Sequence, residues 1–334
     1  MTTTDHAASP PDDRGETLPL RGFAIVIGSA SLFGMLGVLS RAAYEGGMEP
    51  PAFVAWRAAI GFVVLALVIG LRARRGGPAV VRPWRLPRRM GVALLVASLT
   101  ALTLNLCMFM AFDRITIALS LLGFYTYPAM VAVANAVLGR ERLDGPRIVA
   151  LILALAGMAA VVASQVDPAA GIRLDALGIG FALGAAVSQT IYVVVSRDGY
   201  PSVPTDQAIG WALLVATIGA SVTAVVTGSG TTLVEPLVSP SLLPLLLFTG
   251  VFAAAIPSLG FLTGIRAIGG VRAGILMLFE PVVGVALAAW LLDEALAPIQ
   301  VVGALAILAA AVLLQRAPRR DITVQAIAVA PGGP

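Results

Sequence analysis

The sequence predicts an all-α integral membrane protein with ten transmembrane helices, arranged as two inverted repeats of five helices each. The first observation behind this prediction is composition, since 58% of the 334 residues are hydrophobic and only 12% are charged. A soluble domain carries about twice that share of charged residues, because it must cover its surface with solvated groups. The second observation is a series of long apolar runs, and the third is a pattern that occurs twice along the chain.

Ten apolar windows are long enough to cross a membrane, which takes about 20 residues of α-helix. Glycine, proline or charged residues separate these windows. The connectors at 112–115 and 266–271 are very short, so eight or nine spans are alternatives to ten. The predicted spans lie roughly at 22–41, 52–71, 90–112, 115–138, 147–165, 177–196, 207–227, 241–265, 271–292 and 298–315.

The remaining segments are assigned to two tails and one linker. Residues 1–20 are polar and contain proline without any hydrophobic period, which is typical of a disordered tail. The first repeat then covers 21–166, a linker 167–176 and the second repeat 177–316, with a second tail at 317–334. The first apolar run is too long for a signal-peptide core and lacks a small-residue cleavage site, so we expect it to be retained.

The arginines predict the orientation, since cytoplasmic loops carry an excess of basic residues. With the N-terminus inside, the loop at 72–89 places seven arginines and no acid in the cytoplasm. Only Arg41, Arg114 and Arg173 would then lie outside, among several acidic residues. The prediction is therefore a multi-pass protein of the inner (cytoplasmic) membrane, with both the N- and C-termini in the cytoplasm.

The fourth and ninth predicted spans carry the same sparse pattern. A five-helix unit has an odd number of spans, so a second copy enters the membrane from the opposite side. Two inverted halves can exchange inward- and outward-facing shapes around a shared midplane site, which favours a transporter. The alternative is a duplication that only enlarged the bundle. At one offset, Pro128 aligns with Pro281, Glu141 with Glu294 and Leu143 with Leu296, while Trp56 corresponds loosely to Trp211.

These features together resemble the EamA branch of the drug/metabolite transporter superfamily. The resemblance is carried by the ten spans, the five-helix halves, the paired endings of proline followed by glutamate-x-leucine, and the early arginine of the second span (PPAFVAWRAAIG). It covers about residues 22–316. It implies export of small metabolites, often amino acids or related compounds, through a central cavity, and it does not identify the substrate.

Glu280 is the sharpest candidate for a functional residue. It lies near the middle of the ninth predicted span, where a carboxylate is costly and usually faces the bundle interior or a wet cavity. Burial there favours the protonated form, which suits a proton relay or a switchable contact for a cationic substrate. The structural alternative is a neutral glutamic acid that is hydrogen-bonded within the bundle. Pro281 and its counterpart Pro128 are predicted helix breaks that expose backbone carbonyls.

Arg57 enters the second span a few residues from its start and offers a bidentate fork for a substrate carboxylate. Its structural alternative is snorkelling to the outer interface. Tyr127 occupies the repeat position of Glu280. Other polar or aromatic candidates at plausible depth are equally compatible with interhelical hydrogen bonding. These further candidates are Asn105, Tyr125, Gln189 and Trp56, with Ser188 and Tyr192.

Glu141 and Glu294 are assigned a structural role. Each ends its predicted helix, where an acid opposes the helix dipole, and the two fall on opposite membrane faces. We expect them to fix the turn into the following helix.

The sequence also excludes several classes of function. It contains no lysine and therefore no P-loop, and its single histidine, His6, precludes His-based triads and His-based metal sites. No metal or cofactor is expected, and no basic stripe with interleaved aromatic residues suggests nucleic acid. The prediction is a secondary transporter that exports a small metabolite, with no enzymatic activity. Alternatives are proton-coupled efflux of lipophilic cations, a membrane-embedded enzyme, or a scaffold subunit. Expected partners are the substrate and membrane lipids, while proton coupling and homodimer formation stay open.

Overall fold

The computed structural model describes residues 14–140, 144–163, 175–284, 286 and 297–316. Over these residues the chain is helical apart from short connectors, and nine helices are long and apolar enough to cross a membrane. The prediction of an all-α integral membrane fold is confirmed. Glu141, Glu294 and most of the two predicted tails lie outside the described residues.

The first half contains seven helices that form five spans. Helices α1 and α2 together make the first span, and α5 and α6 together make the fourth. A short 3₁₀ turn, Pro83–Arg85, lies in the loop between α3 and α4. The helices are α1 (Arg14–Phe33), α2 (Leu36–Glu45), α3 (Pro50–Arg74), α4 (Arg88–Arg114), α5 (Ile117–Phe124), α6 (Tyr127–Val137) and α7 (Gly145–Ala163).

The second half follows the same order. A π-helical segment, Val251–Ala255, joins α11 and α12 into one span, Leu242–Ile268. The helices are α8 (Ala176–Asp198), α9 (Thr205–Val226), the short α10 (Glu235–Val238), α11 (Leu242–Gly250), α12 (Ile256–Ile268), α13 (Gly270–Met277), α14 (residues 280–284) and α15 (Pro298–Arg316).

The nine candidate spans coincide with nine of the ten predicted windows to within a few residues at each end. The ninth predicted window, 271–292, holds α13 and α14, and its later part lies outside the described residues. Both of the very short connectors do separate helices. At the second of them, Gly269 has a φ of +89°, a conformation that suits glycine because it has no Cβ. These breaks support ten spans over eight or nine.

Exchanging the two halves reproduces the packing of the helices. Helix α1 packs against α12, and α4 packs against α8, so the first and third spans of one half pair with the third and first of the other. The second spans, α3 and α9, pack against each other, as do the fifth spans, α7 and α15. The bundle is therefore built around a pseudo-two-fold relation between two repeats of opposite orientation.

The fifth spans approach very closely at two glycines. A Cβ atom on Gly157 would lie 2.6 Å from the carbonyl oxygen of Gly303, and one on Gly303 would lie 2.5 Å from that of Gly157. No other residue type fits at this crossing without moving the backbones apart. Small residues that permit such approach are a recurrent device of membrane helix packing.

Among the described residues, four spans are interrupted near their middle. After three of the interruptions, the second residue of the next helix is proline. Proline is tolerated in the first turn of a helix because the N–H groups there have no partner within the helix. The interruptions lie at 34–35 in the first span, 125–126 before Pro128 in the fourth, Val251–Ala255 before Pro257 in the eighth, and 278–279 before Pro281 in the ninth.

The two ends of the bundle differ in charge. We name the end that carries the loop at 75–87 the basic end, because its arginines face no acid in that loop. We name the opposite end the acidic end, since Glu45, Glu49, Asp113 and Glu235 lie at the helix ends there. At the acidic end, Asp175 caps α8 through Leu177 N and pairs with Arg114, whose guanidinium lowers the pKa of the Asp175 carboxyl.

Candidate functional site: a cavity between the two halves

A cavity of about 120 Å³ lies between the two halves. Nineteen of the described residues line it, and sixteen of these form eight pairs, each with one residue from each half at one of two separations along the chain. Three further lining residues, Leu104, Phe109 and Phe112, come from α4. At a separation of 156 the pairs are Phe33/Gln189, Leu36/Tyr192 and Arg57/Leu213; at 153 they are Ala101/Ala254, Asn105/Ser258, Met108/Phe261, Phe124/Met277 and Tyr127/Glu280.

This pairing places the cavity on the pseudo-two-fold relation that the helix packing shows. The chemistry of the lining is not symmetric, however. Arg57 and Glu280 are the charged lining residues, one from each half, and their counterparts Leu213 and Tyr127 are neutral. The cavity therefore combines a symmetric shape with an asymmetric charge distribution.

Glu280 begins α14, directly after the interruption at 278–279. The interruption in the first span lies against it, since a Cβ on Gly34 would stand 2.8 Å from the Glu280 carbonyl oxygen. Only a glycine permits that approach of the two backbones. The first and ninth spans thus meet where both are broken, and the Glu280 side chain faces the cavity from that junction.

A cluster of aromatic residues at the junction of α5 and α6 lies beside the Glu280 carboxyl. The hydroxyl groups of Tyr125 and Tyr127 both interact electrostatically with it, and both tyrosines are fully buried. The Phe124 ring lies 5.2 Å from that of Tyr125 and 5.1 Å from that of Tyr127, between ring centroids. The Tyr127 hydroxyl also donates a long hydrogen bond of 3.4 Å to Gly274 O and lies within reach of Gln189. The carboxyl therefore faces rings and hydroxyl groups.

Arg57 is 5% exposed; both of its terminal nitrogens are hydrogen-bonded within the protein, while its buried Nε has no hydrogen-bond partner among the described residues. Its Nη1 donates to the carbonyl oxygen of Ala253 at 2.8 Å, and its Nη2 donates to Asn105 Oδ1. The guanidinium lies over the Phe109 ring, with Cζ 5.0 Å from the ring centroid. Asn105 is itself held by a bond of 2.7 Å from its Nδ2 to Ala101 O. Arg57 thus connects the second, third and eighth spans.

The bond to Ala253 has a cause in the sequence. In an α-helix the N–H of residue 257 would bond to the carbonyl of residue 253, but residue 257 is proline and has no N–H. The carbonyl of Ala253 lies in the π segment that precedes this proline. An unpaired carbonyl in the membrane is costly, and the Arg57 guanidinium supplies the missing donor.

The predicted site residues divide into three groups. Glu280, Arg57, Tyr127, Asn105 and Gln189 line the cavity, and Tyr125 lies behind the lining in contact with Glu280. Arg57 and Glu280 share the cavity without forming an ion pair, and the Arg57 nitrogens Nη1 and Nη2 are bonded to Ala253 and Asn105. Trp56 faces away from the cavity, and its Nε1 donates to Leu233 O at 2.9 Å. Glu141 and Glu294 lie outside the described residues.

The sequence prediction missed three parts of the site. Gly34 and Pro257 were not singled out, although a glycine or proline inside a long apolar run signals a break in the helix. The aromatic lining supplied by Phe33, Phe109 and Phe261 gave no signal of its own, because phenylalanine is ordinary in a membrane span. Within the described part of the chain, no group of three or more His, Cys, Asp and Glu residues could hold a metal ion.

Comparison with known proteins agrees with this architecture. Residues 20–163 and 176–316 each match the model of the EamA-like transporter family. A solved structure entitled only "Crystal structure of protein" superimposes with a TM-score of 0.68 at 19% sequence identity, over 89% of this chain and 97% of that one. No curated protein matches the chain. The solved structure supports the fold, and the two family matches, which cover most of the chain, show that it belongs to the EamA-like transporter family.

Proposed function

We propose that this EamA-like transporter is a secondary transporter that exports a small amphipathic metabolite bearing an amino group. Transport would occur by alternating access around the cavity between the two halves. The observation that carries the proposal is the paired lining of that cavity. A binding site built from equivalent residues of two inverted repeats can face either side of the membrane when the halves exchange conformations.

The helix packing supports such an exchange. The pairs α1/α12 and α4/α8 are equivalent under exchange of the halves. One conformation can therefore open the contact between α1 and α12, and the conformation in which the two halves have exchanged roles can open the contact between α4 and α8. The interruptions in the first, fourth, eighth and ninth spans supply points at which a helix can bend without losing all its hydrogen bonds.

The cavity chemistry favours an amine over a carboxylate as the recognised group. The Glu280 carboxyl is directed at the cavity among aromatic rings, and both features attract a cation. The Arg57 Nη1 and Nη2 atoms are already bonded to Ala253 and Asn105, so a substrate carboxylate could reach only the remaining N–H groups of Arg57 without breaking those bonds. A volume of about 120 Å³ favours a compact substrate, since the pockets that bind drug-sized ligands measure roughly 300–1,000 Å³.

A second candidate is proton-coupled efflux of lipophilic cations. It is favoured by the same carboxyl, which in apolar surroundings can exchange a proton for a cationic substrate. The two candidates differ in substrate size and in the need for a proton gradient. Binding of a zwitterionic amino acid would additionally use the unpartnered Arg57 Nε–H or require Arg57 to change partners.

We further propose that the basic end faces the cytoplasm and that both termini lie there, in the inner membrane. The arginine-rich loop between α3 and α4 carries this assignment, because positive loops stay on the cytoplasmic side. Single cysteines at Arg82 and Glu235, in a Cys107→Ala background, test it in intact cells. A membrane-impermeant thiol reagent should label the cysteine at 235 and not that at 82. Labelling of both would contradict the orientation and the span count.

The substrate proposal is tested with the purified protein in liposomes. Uptake would be measured for a panel of small amines, amino acids and lipophilic cations, with and without a pH gradient. We expect transport of a small amphipathic amine that competes with its analogues and not with acids. Transport of acidic compounds alone would overturn the recognition proposed for Glu280. Transport of large lipophilic cations only with a proton gradient would favour the second candidate.

A further inference from the structure

A second cavity, of about 220 Å³, lies between α3 and α9 at the basic end. Its walls are almost entirely apolar and include Phe62, Ile69 and Gly70 from α3, and Trp211 and Leu214 from α9. It shares no lining residue with the cavity that holds Arg57 and Glu280. The proposed transport function therefore leaves this second cavity unexplained.

The loop after α3 covers the cavity at the basic end. Gly76, with a φ of +82°, ends α3 in a left-handed turn, and Gly77 N bonds back to Arg72 O at 2.9 Å. The buried side chain of Gln207 then holds the returning chain at two points. Its Oε1 accepts from Val81 N at 2.6 Å, and its Nε2 donates to Ala79 O at 3.0 Å. Both ends of the Gln207 amide are thereby used, and Val80 is fixed as part of the cavity wall.

This covering loop is strongly basic. Its seven arginines between 72 and 89 are exposed, and no acid lies among them in the sequence. Within the described residues, Arg72 pairs with Asp206 at 2.7 Å, and no acid is paired with Arg74, Arg75 or Arg82. Trp84 is 73% exposed and makes an edge contact with Trp211, at 6.3 Å between ring centroids. Tryptophan and arginine together are typical of the membrane interface, where lipid headgroups lie.

The opposite end of the same helix pair is built differently. Exchange of the halves maps α3 onto α9. Trp56 lies near the start of α3 at the acidic end and Trp211 near the start of α9 at the basic end, one residue out of the register that pairs Arg57 with Leu213. Trp56 is tied to Leu233 O in the 3₁₀ turn Gly230–Leu233, which contains no arginine. Trp211 instead lines the open cavity beneath the arginine loop. The two tryptophans therefore have different surroundings, although exchange of the halves relates the two ends of the helix pair.

We propose that this cavity and the loop above it form a binding site for an anionic phospholipid. Part of one acyl chain lies in the apolar cavity between α3 and α9, and the phosphate is held by Arg74, Arg75 and Arg82. Charge complementarity selects an anionic headgroup, because clustered arginines beside a membrane span attract such lipids by about 1 kcal/mol each, or about fivefold. The apolar wall argues against a polar substrate, since Gln207, the one amide or charged side chain among the described lining residues, is already bonded to the loop.

The test measures lipid binding to the purified full-length chain by native mass spectrometry, with dioleoyl phosphatidylglycerol and dioleoyl phosphatidylcholine as probes. We expect the wild type to prefer phosphatidylglycerol at least tenfold. The triple variant Arg74→Gln, Arg75→Gln, Arg82→Gln should lose that preference. A matched triple variant, Arg21→Gln, Arg41→Gln, Arg316→Gln, removes three exposed arginines elsewhere and should keep it.

A second variant tests the acyl-chain part of the site. A Cβ on Gly70 meets no atom within 4 Å, so Gly70→Leu fills the cavity without displacing the backbone. It should weaken binding of both lipids about tenfold. Gly28→Leu is its control, because Gly28 is exposed on α1 and its Cβ is equally unobstructed.

A third readout locates the lipid directly. Brominated phosphatidylglycerol should quench the fluorescence of Trp211, measured in a variant whose other tryptophans are phenylalanine, more than brominated phosphatidylcholine does. Equal losses in both arginine variants would show non-specific charge attraction and overturn the proposal. Unchanged binding to Gly70→Leu would overturn the cavity assignment, as would displacement of the lipid by a transported amine or by a second copy of the chain.

Discussion

The two halves of the central cavity are alike in position and unlike in chemistry. The first half contributes Arg57 and Tyr127, whereas the second contributes Leu213 and Glu280 at the equivalent places. Duplication accounts for the shape of the cavity, because equivalent helices present equivalent faces. It does not account for the charges, of which each half supplies one. Recognition of a substrate is therefore expected to depend on the positions where the repeat is broken.

The third spans of the two halves show a second difference. Helix α4 runs without interruption from Arg88 to Arg114, while its counterpart is divided by the π segment Val251–Ala255 and by Pro257. The resulting need for a donor at Ala253 is met by Arg57, from the other half. One charged difference between the halves is thus assigned to holding a broken helix, which leaves the other, at Glu280, available for the substrate.

The largest effect is expected at the pair Glu280 and Tyr127. Glu280→Gln keeps the size of the side chain and removes its charge, so we expect transport to fall at least tenfold and to lose its dependence on pH. Tyr127→Phe, at the equivalent position, removes one hydroxyl and should lower transport less than threefold. Transport in liposomes between pH 5.5 and 8.5 measures both. Wild-type rates for Glu280→Gln at every pH would show that the carboxyl is only structural.

The next effect concerns stability. It distinguishes a structural role of Arg57, as a donor to the Ala253 carbonyl, from a role in binding a substrate carboxylate. Arg57→Ala leaves the Ala253 carbonyl without a donor, and it should lower the free energy of unfolding by about 2–4 kcal/mol. In a Pro257→Ala background the same change should cost about 1–2 kcal/mol less, because alanine at 257 provides the backbone N–H. Unfolding of the four proteins in mixed detergent measures the coupling. Additive effects would argue that Arg57 does not stand in for the missing backbone donor.

Closure of the two ends provides a third comparison. At the basic end, Arg266 donates to Val203 O at 2.9 Å and lies 5.1 Å from the centroid of the Tyr200 ring. At the acidic end, Tyr44 donates one bond of 3.3 Å to Phe109 O. Hydrogen bonds from charged groups contribute about 1.5–3 kcal/mol, against about 1 kcal/mol for neutral ones.

We therefore expect Arg266→Gln to increase access to the cavity from the basic end more than Tyr44→Phe increases access from the acidic end. A cysteine at Ser258, in a Cys107→Ala background, reports this opening, because Ser258 lines the central cavity. We expect an impermeant thiol reagent added at the basic end to react several-fold faster in Arg266→Gln. Equal acceleration from the acidic end would mean that the variant loosens the whole bundle.

The smallest effect is expected at Trp56. Its contact with Leu233 O lies away from the cavity, so Trp56→Phe should lower stability by about 1 kcal/mol and leave the affinity for substrate unchanged. Thermal unfolding and substrate competition, measured on the same preparation, separate the two properties. A clear loss of affinity would support the original assignment of Trp56 to the substrate site.

Much of the fold could be predicted from the sequence because its cause is local. Each span is a window whose residues mostly favour lipid over water, and the breaks contain glycine, proline or charge. Pro128 and Pro281 also revealed the repeat, because proline interrupts a helix and is therefore rare within a span. The comparison of the two repeats did not reveal Pro257, because Leu104, and not a proline, occupies the matching position in α4.

The candidate site was predicted less completely. A carboxylate or guanidinium in an apolar span stands out because its burial is costly, and this indicated Glu280 and Arg57. Gly34 gave no such signal, since the need for it arises from the Glu280 backbone of a distant span. Trp56 was included on chemical type alone, and type does not decide the direction in which a ring points.

The sequence by itself determined that the chain spans the membrane, that its two halves are related, and that a few polar side chains lie at depth. These properties follow from transfer free energies and from breaks in helices, which depend on neighbours along the chain. Only the tertiary structure decided that Arg57 bonds to Ala253, that Glu280 faces an aromatic cluster, and that the two do not pair. Those outcomes depend on which helix faces approach one another, and that choice is the sum of many weak contacts between residues far apart in sequence.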